Sequence, residues 1–145
     1  MQHMLSFFCA AAAGAAMALQ GTFNTAAGKV IGYAENTLVV HVIGAAVIGL
    51  LLLFGVGRGD FSRLAQVPWY GYLGGVLSAV IIFGVIFAMD RLGVGSATAV
   101  IILFQIGAAF LIDCFGLFGA EKIPFAFSRL LGIALLVIGT KLVLR

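Results

Sequence analysis

The charged residues of this chain are confined to short clusters that separate five long apolar runs, and this spacing leaves few folds open. A helix needs about 20 mostly apolar residues to cross roughly 30 Å of hydrocarbon. Runs of about that length at 4–27, 36–56, 69–89, 94–118 and 128–144 predict an all-α integral membrane protein with five transmembrane helices. They fill residues 1–145 as a single transmembrane domain. The fifth run is marginal, because only 130–140 is free of charge; Arg129 and Lys141 must extend their stems to the two interfaces for it to span. With 9% charged residues the chain lies far below the roughly 25% of soluble domains. Its net charge of +3 comes from basic residues placed singly at segment ends, so no patch exists to track phosphates and no nucleic-acid partner is expected.

Five crossings alternate the charge clusters between two faces. The N-terminal side receives Arg58, Arg63, Lys122 and Arg129, and the other side receives Lys29, Arg91, Lys141 and Arg145. Orientation is set by an excess of Lys and Arg in short cytoplasmic loops. A four-to-four balance supplies no excess, so the chain is expected to insert both ways and to pair with a second, inverted copy of itself as an antiparallel homodimer.

Local punctuation agrees with this division. Gly57-Arg58-Gly59-Asp60 closes helix 2, Pro68 forces an extended entry to the Trp69-Tyr70 pair at headgroup level, and Asp90-Arg91-Leu92-Gly93 forms a tight turn between helices 3 and 4. Ser128 is the expected N-cap of helix 5. Helix 1 carries Ala10, Gly14, Ala18, Gly21, Thr25 and Gly28 on one face, a small-residue stripe that lets helices approach closely. Cys9 and Cys114 read as buried hydrophobes, and the Met1-Gln2-His3-Met4 start lacks the positive region of a secretory signal. No internal repeat is evident.

Polar side chains at membrane depth are costly unless they face protein or water, so they mark candidate sites. Five stand out: Gln20 and Asn24 in helix 1, His41 in helix 2, and Gln105 and Asp113 in helix 4. Gln20 and Asn24 share a helix face one turn apart. Gln105 lies near the centre of helix 4, with Asp113 about 12 Å beyond it. Within one copy the amides and the carboxylate fall in opposite halves of the membrane; inverting a partner brings its Asp113 to the depth of Gln20, Asn24 and His41. That arrangement is a single-gene version of the inverted repeats of secondary transporters. The amides then line a substrate pathway or join helices, His41 is a pathway or capping residue, and Asp113 either couples transport or pairs with Lys122 or Arg129. The absence of a Walker loop, GxSxG, HExxH or Cys/His ligand spacing argues against an enzyme and against any cofactor or metal.

Leu19-Gln20-Gly21-Thr22-Phe23-Asn24, Pro68-Trp69-Tyr70 with Gly74-Gly75, Gln105 eight residues before Asp113-Cys114-Phe115-Gly116, and Arg129-Leu130-Leu131-Gly132 together resemble the YdcZ-like family across the whole chain. These are small bacterial inner-membrane proteins of the drug/metabolite transporter superfamily. The resemblance implies a multi-pass protein of the inner membrane, half the size of its larger relatives, that assembles as an antiparallel pair. The related small multidrug exporters use a glutamate in helix 1, where this chain has Gln20 and Asn24 and no carboxylate. The expectation is a small-molecule secondary transporter or exporter working by alternating access. A small dual-topology ion channel and a non-transporting subunit of a hetero-oligomer are the alternatives.

Overall fold

The computed structural model describes residues 2–144; Met1, and Arg145 of the charge balance, lie outside the described residues. The described chain is helical: α1 (Gln2–Ile31), α2 (Tyr33–Leu53), α3 (Leu73–Leu92), α4 (Val94–Phe115) and α5 (Phe127–Val143), with short 3-10 turns at Phe61–Gln66, Trp69–Tyr72 and Leu117–Gly119. Four segments are long and apolar enough to cross a membrane: His3–Ile31, Tyr33–Leu53, Trp69–Leu92 and Val94–Phe115. The fifth helix has 17 residues, about 25 Å at 1.5 Å per residue, which falls short of the hydrocarbon thickness. The expected fifth helix forms, and it is not among the four segments of membrane-spanning length.

Several predicted boundaries move. Helix 1 continues past 27 to Ile31, and helix 2 starts at Tyr33 rather than 36, so Gly32 alone separates them. The Asp90-Arg91-Leu92-Gly93 turn contracts in the same way, because α3 carries through Leu92 and only Gly93 lies outside a helix. Both links use one backbone device. Gly32 (φ 99, ψ 151) and Gly93 (φ 81, ψ 160) occupy a region that L side chains avoid. The Gly32 N–H donates to Gly28 and its carbonyl accepts from Asn36; the Gly93 N–H donates to Met89 and its carbonyl accepts from Ala97, all at 3.0 Å. The backbone is thus redirected without orphaning the link's own polar groups, which matters where water is scarce. Gly93→Ala and Gly32→Ala are each expected to lower stability by about 1–3 kcal/mol, read as a fall in thermal midpoint of the purified protein. A Cβ at Gly93 meets open space, so the backbone alone sets its cost; at Gly32 it also meets the Glu35 carboxylate, which can swing aside.

The chain divides into two compact units, Met1–Phe87 and Ala88–Arg145. In the first, α1 packs on α2. Close approach at the turn rests on Gly28, where a Cβ would stand 2.9 Å from the Tyr33 ring and 3.1 Å from Ile86 of α3. The Tyr33 and Phe83 rings meet edge to face with centroids 6.1 Å apart. The small-residue stripe of α1 is used over only part of its length: Gly21, Thr25 and Gly28 are buried, whereas Ala10 is exposed and Gly14 has nothing near its missing Cβ. Cys9 is exposed on the same stretch and Cys114 is half-buried, so neither is the buried hydrophobe expected. That end of α1 is thus left to be covered by lipid or by another chain.

After α2 ends at Leu53, earlier than the predicted 56, the chain forms an exposed loop. Asp60 caps its first 3-10 turn by accepting the Ser62 N–H at 2.9 Å. Hydrogen bonding by the Ser62 side chain, and then by its backbone, holds the Asp60 carboxyl below the usual aspartate range. This cap is complete above the ordinary aspartate range and is lost as pH falls through the lowered value. Tyr72 donates to the Leu64 carbonyl at 2.6 Å and ties the loop to the start of α3. That helix begins at Leu73 and not at Trp69, because the segment after Pro68 is a 3-10 turn.

In the second unit α4 packs on α5. The predicted end of helix 4 at 118 retreats to Phe115, where Gly116 takes a left-handed conformation (φ 63) and its N–H donates to Ile112. The following loop returns beneath the helix, with the Ile123 N–H donating to the Asp113 carbonyl at 2.9 Å and the Phe125 ring 5.9 Å from that of Phe110. Ser128 is not the N-cap of α5. Ala126 holds that position with no side-chain cap, and Ser128 lies inside the helix.

Candidate functional site

The five sequence-predicted residues divide between the two units. Gln20, Asn24 and His41 belong to the first, Gln105 and Asp113 to the second.

Gln20 and Asn24 share the expected face, yet their surroundings differ. Asn24 is buried near the α1–α2 turn, and its backbone carbonyl accepts from Asn36 Nδ2 at 3.3 Å. A straight helix would separate these two residues by about 18 Å, so this contact exists only because the chain reverses at Gly32. Gln20, one turn further from the link, is exposed and makes no protein hydrogen bond among the described residues.

His41 sits in a chain of hydrogen bonds on the buried face of α2. Thr37 Oγ1 donates to the Tyr33 carbonyl at 2.7 Å, and His41 Nδ1 contacts the Thr37 carbonyl at 2.7 Å. Across the helix boundary His41 Nε2 lies 3.0 Å from Ser78 Oγ of α3. A carbonyl only accepts, so Nδ1 carries the ring hydrogen in the neutral state, and Nε2 must then accept from the Ser78 hydroxyl. Sequence reasoning placed His41 among the candidates and missed Asn36 and Ser78. Asn36 had been taken as the first residue of a helix, and a lone serine in α3 has no local pattern that reveals its distant partner.

Gln105 is exposed on α4 and, like Gln20, makes no protein hydrogen bond among the described residues. Its neighbours Phe104 and Ile106 are also exposed, so this sector of the helix awaits lipid or protein. Asp113 is different. Its Oδ2 accepts from Arg129 Nη1 at 3.2 Å, with both side chains more than a third exposed, and the pair joins α4 to α5. Of the two cations offered by the sequence, Arg129 is the one engaged. The pair stands at one end of a cleft of about 340 Å³ whose walls include Ile106, Phe110, Ile133 and Leu136. A single contact leaves the second carboxylate oxygen and the remaining guanidinium donors accessible, so the cleft combines apolar walls with one anionic and one cationic group.

No group of His, Cys, Asp and Glu among the described residues has the proximity to hold a metal ion. No curated protein and no solved structure matches the chain. Residues 5–142 match the family described as "Putative inner membrane exporter, YdcZ". This span includes all five polar positions, both glycine links and the Asp113–Arg129 pair, and four membrane-length apolar helices accord with a multi-pass protein of the inner membrane. The chain belongs to the YdcZ family of inner-membrane proteins.

Proposed function

We propose that the protein is a secondary transporter that exports a small molecule by alternating access, with an antiparallel homodimer as its working unit. The observation that carries this reading is the exposure of Gln20 and Gln105 on long apolar helices without a protein hydrogen bond. An amide at membrane depth loses several kcal/mol if left to hydrocarbon, so each needs a partner chain, water or substrate. An inverted second copy supplies the first and encloses the other two. In that dimer Gln20 and Gln105 contact substrate, and Asn24 fixes the angle of the α1–α2 turn. The exposed small residues of α1 favour close packing against protein, since lipid tails give no reason to keep them small.

In this scheme Asp113 couples transport to protons. Protonating it leaves Arg129 without its counter-ion, because a guanidinium cannot shed its charge in turn. The α4–α5 link then weakens as the proton arrives. Asp113→Asn keeps the shape of the side chain but cannot titrate near neutral pH. The expected result is a protein that equilibrates substrate and no longer accumulates it when a pH gradient is imposed on proteoliposomes. Unchanged accumulation would leave Asp113 as a helix anchor.

The direct test of function starts from thermal shift of purified protein across cations, sugars, organic acids and lipids. Flux of any stabilising compound is then followed in liposomes. Saturable exchange supports a transporter, fast uncoupled flux a channel, and absence of flux a subunit of another assembly.

A further inference from the structure

We infer that His41 is a proton-binding site, separate from Asp113, whose ionisation reverses the hydrogen bond linking α2 to α3. The argument starts from the fixed roles of its two ring nitrogens. Nδ1 is committed as a donor to the Thr37 carbonyl at 2.7 Å, so in the neutral ring the Nε2 lone pair is the only site left for a proton. That lone pair accepts from Ser78 at 3.0 Å. When Nε2 takes a proton from water it becomes a donor, and the Ser78 oxygen must change from donor to acceptor. The serine hydrogen is free to turn to a carbonyl of its own helix one turn back, the common second partner of a helical serine. Both states are satisfied by the same two side chains, and release of the proton to water restores the first.

The surroundings make this proton consequential. On α2 the nearest ionisable side chain is Glu35, six residues before His41, and none follows it in that helix. On α3 the nearest is Asp90, twelve residues after Ser78, and in the 3-10 turn before that helix Tyr72, six residues before Ser78, is engaged with the Leu64 carbonyl. α1, which packs on α2, has none between Cys9 and Lys29. Adding a proton therefore creates a cation with no carboxylate within a turn of the link on any of the three helices. Such a charge needs water or an anionic group to persist at membrane depth. If the transport reading holds, on which this last step rests, His41 binds its proton when its end of the pathway is hydrated and sheds it when the pathway closes.

The experiment is a pH titration of full-length protein in nanodiscs, with 15N-labelled histidine followed by NMR. His3→Ala removes the other imidazole, leaving His41 as the sole signal. At alkaline pH the ring should show the Nδ1–H tautomer, and lowering pH should convert it to imidazolium in one transition. A hydrogen bond from a charged donor is about twice as strong as one between neutral partners, so Ser78→Ala should move that transition to lower pH. Neutral resonances that persist from about pH 9 to about pH 5, an Nε2–H tautomer, or a transition unmoved by Ser78→Ala would each overturn the assignment. In proteoliposomes His41→Gln should flatten the acid side of the flux profile. Wild-type protein without flux would defeat the transport reading alone, since the NMR titration decides the proton site independently.

Discussion

Two lysines added to the loop between α2 and α3 should collapse two populations of the protein into one. With five crossings, the N-terminal side holds Arg58, Arg63, Lys122 and Arg129 against Lys29, Arg91, Lys141 and Arg145, four against four. A reporter on the C-terminus of wild type is then expected on both sides of the membrane in comparable amounts. Raising one face to six against four should place nearly all copies one way. The short α5 makes the test sharper than the charge balance alone. If α5 fails to cross, Lys141 and Arg145 join the N-terminal side and the score becomes six against two. Wild type would then sit in one orientation with that side cytoplasmic, and the antiparallel dimer would have no inverted partner. The functional counterpart uses two variants biased in opposite directions. Each alone should be inactive in transport, and the two expressed together should recover activity. Recovery by neither combination, or full activity of a singly oriented variant, would remove the antiparallel dimer from the mechanism.

The membrane class, four membrane-length helices and the family were all legible in the chain, because length and apolarity over some 20 residues report directly on a bilayer-sized element. The ends of those elements were less so. A turn is usually announced by several polar or breaking residues, and Lys29 and Asp90-Arg91 looked like such announcements. Here a single glycine at positive φ redirects the chain while its neighbours stay helical, so charges that read as loop belong to the last turns of α1 and α3. Lys29 and Arg91 there oppose the negative helix end, which favours continuing the helix through them. The site residues divide along the same line. Depth in a span follows from counting residues, which is how Gln20, Asn24, His41, Gln105 and Asp113 were found. Partners follow from packing between helices, which no count along one helix reveals. The His41–Ser78 link spans 37 residues and the Asn36–Asn24 contact exists only after the Gly32 turn. For Asp113 the two candidate cations were visible, and the return of the loop beneath α4 places Arg129 against it.

Replacement of Gln105 by leucine should separate stability from function. The side chain is exposed on the folded chain and makes no protein hydrogen bond among the described residues, so Gln105→Leu removes no contact within one copy. The folding stability of the chain should change by no more than about 0.5 kcal/mol, as for surface substitutions away from special features. In a bilayer the same change adds apolar surface where an amide stood, so insertion should be as efficient or better. Transport has the opposite expectation. An amide that binds substrate or water in the pathway contributes on the order of 1–3 kcal/mol when its partner would otherwise go unpaired. A loss at the upper half of that range is more than tenfold in rate or affinity. The paired measurements are dimer content by crosslinking and flux in proteoliposomes. Intact dimer with at least tenfold lower flux places Gln105 on the pathway. Dimer loss in proportion to flux makes it an interhelical contact between copies, and unchanged flux with intact dimer means the amide faces neither substrate nor partner, which would withdraw the observation on which the transport reading rests. Gln105→Asn separates the first two outcomes further, because the shorter amide keeps the polarity but shifts its reach by one methylene. A pathway contact should then retain partial flux with altered affinity, whereas a tightly packed contact between inverted copies should fail with asparagine much as it does with leucine.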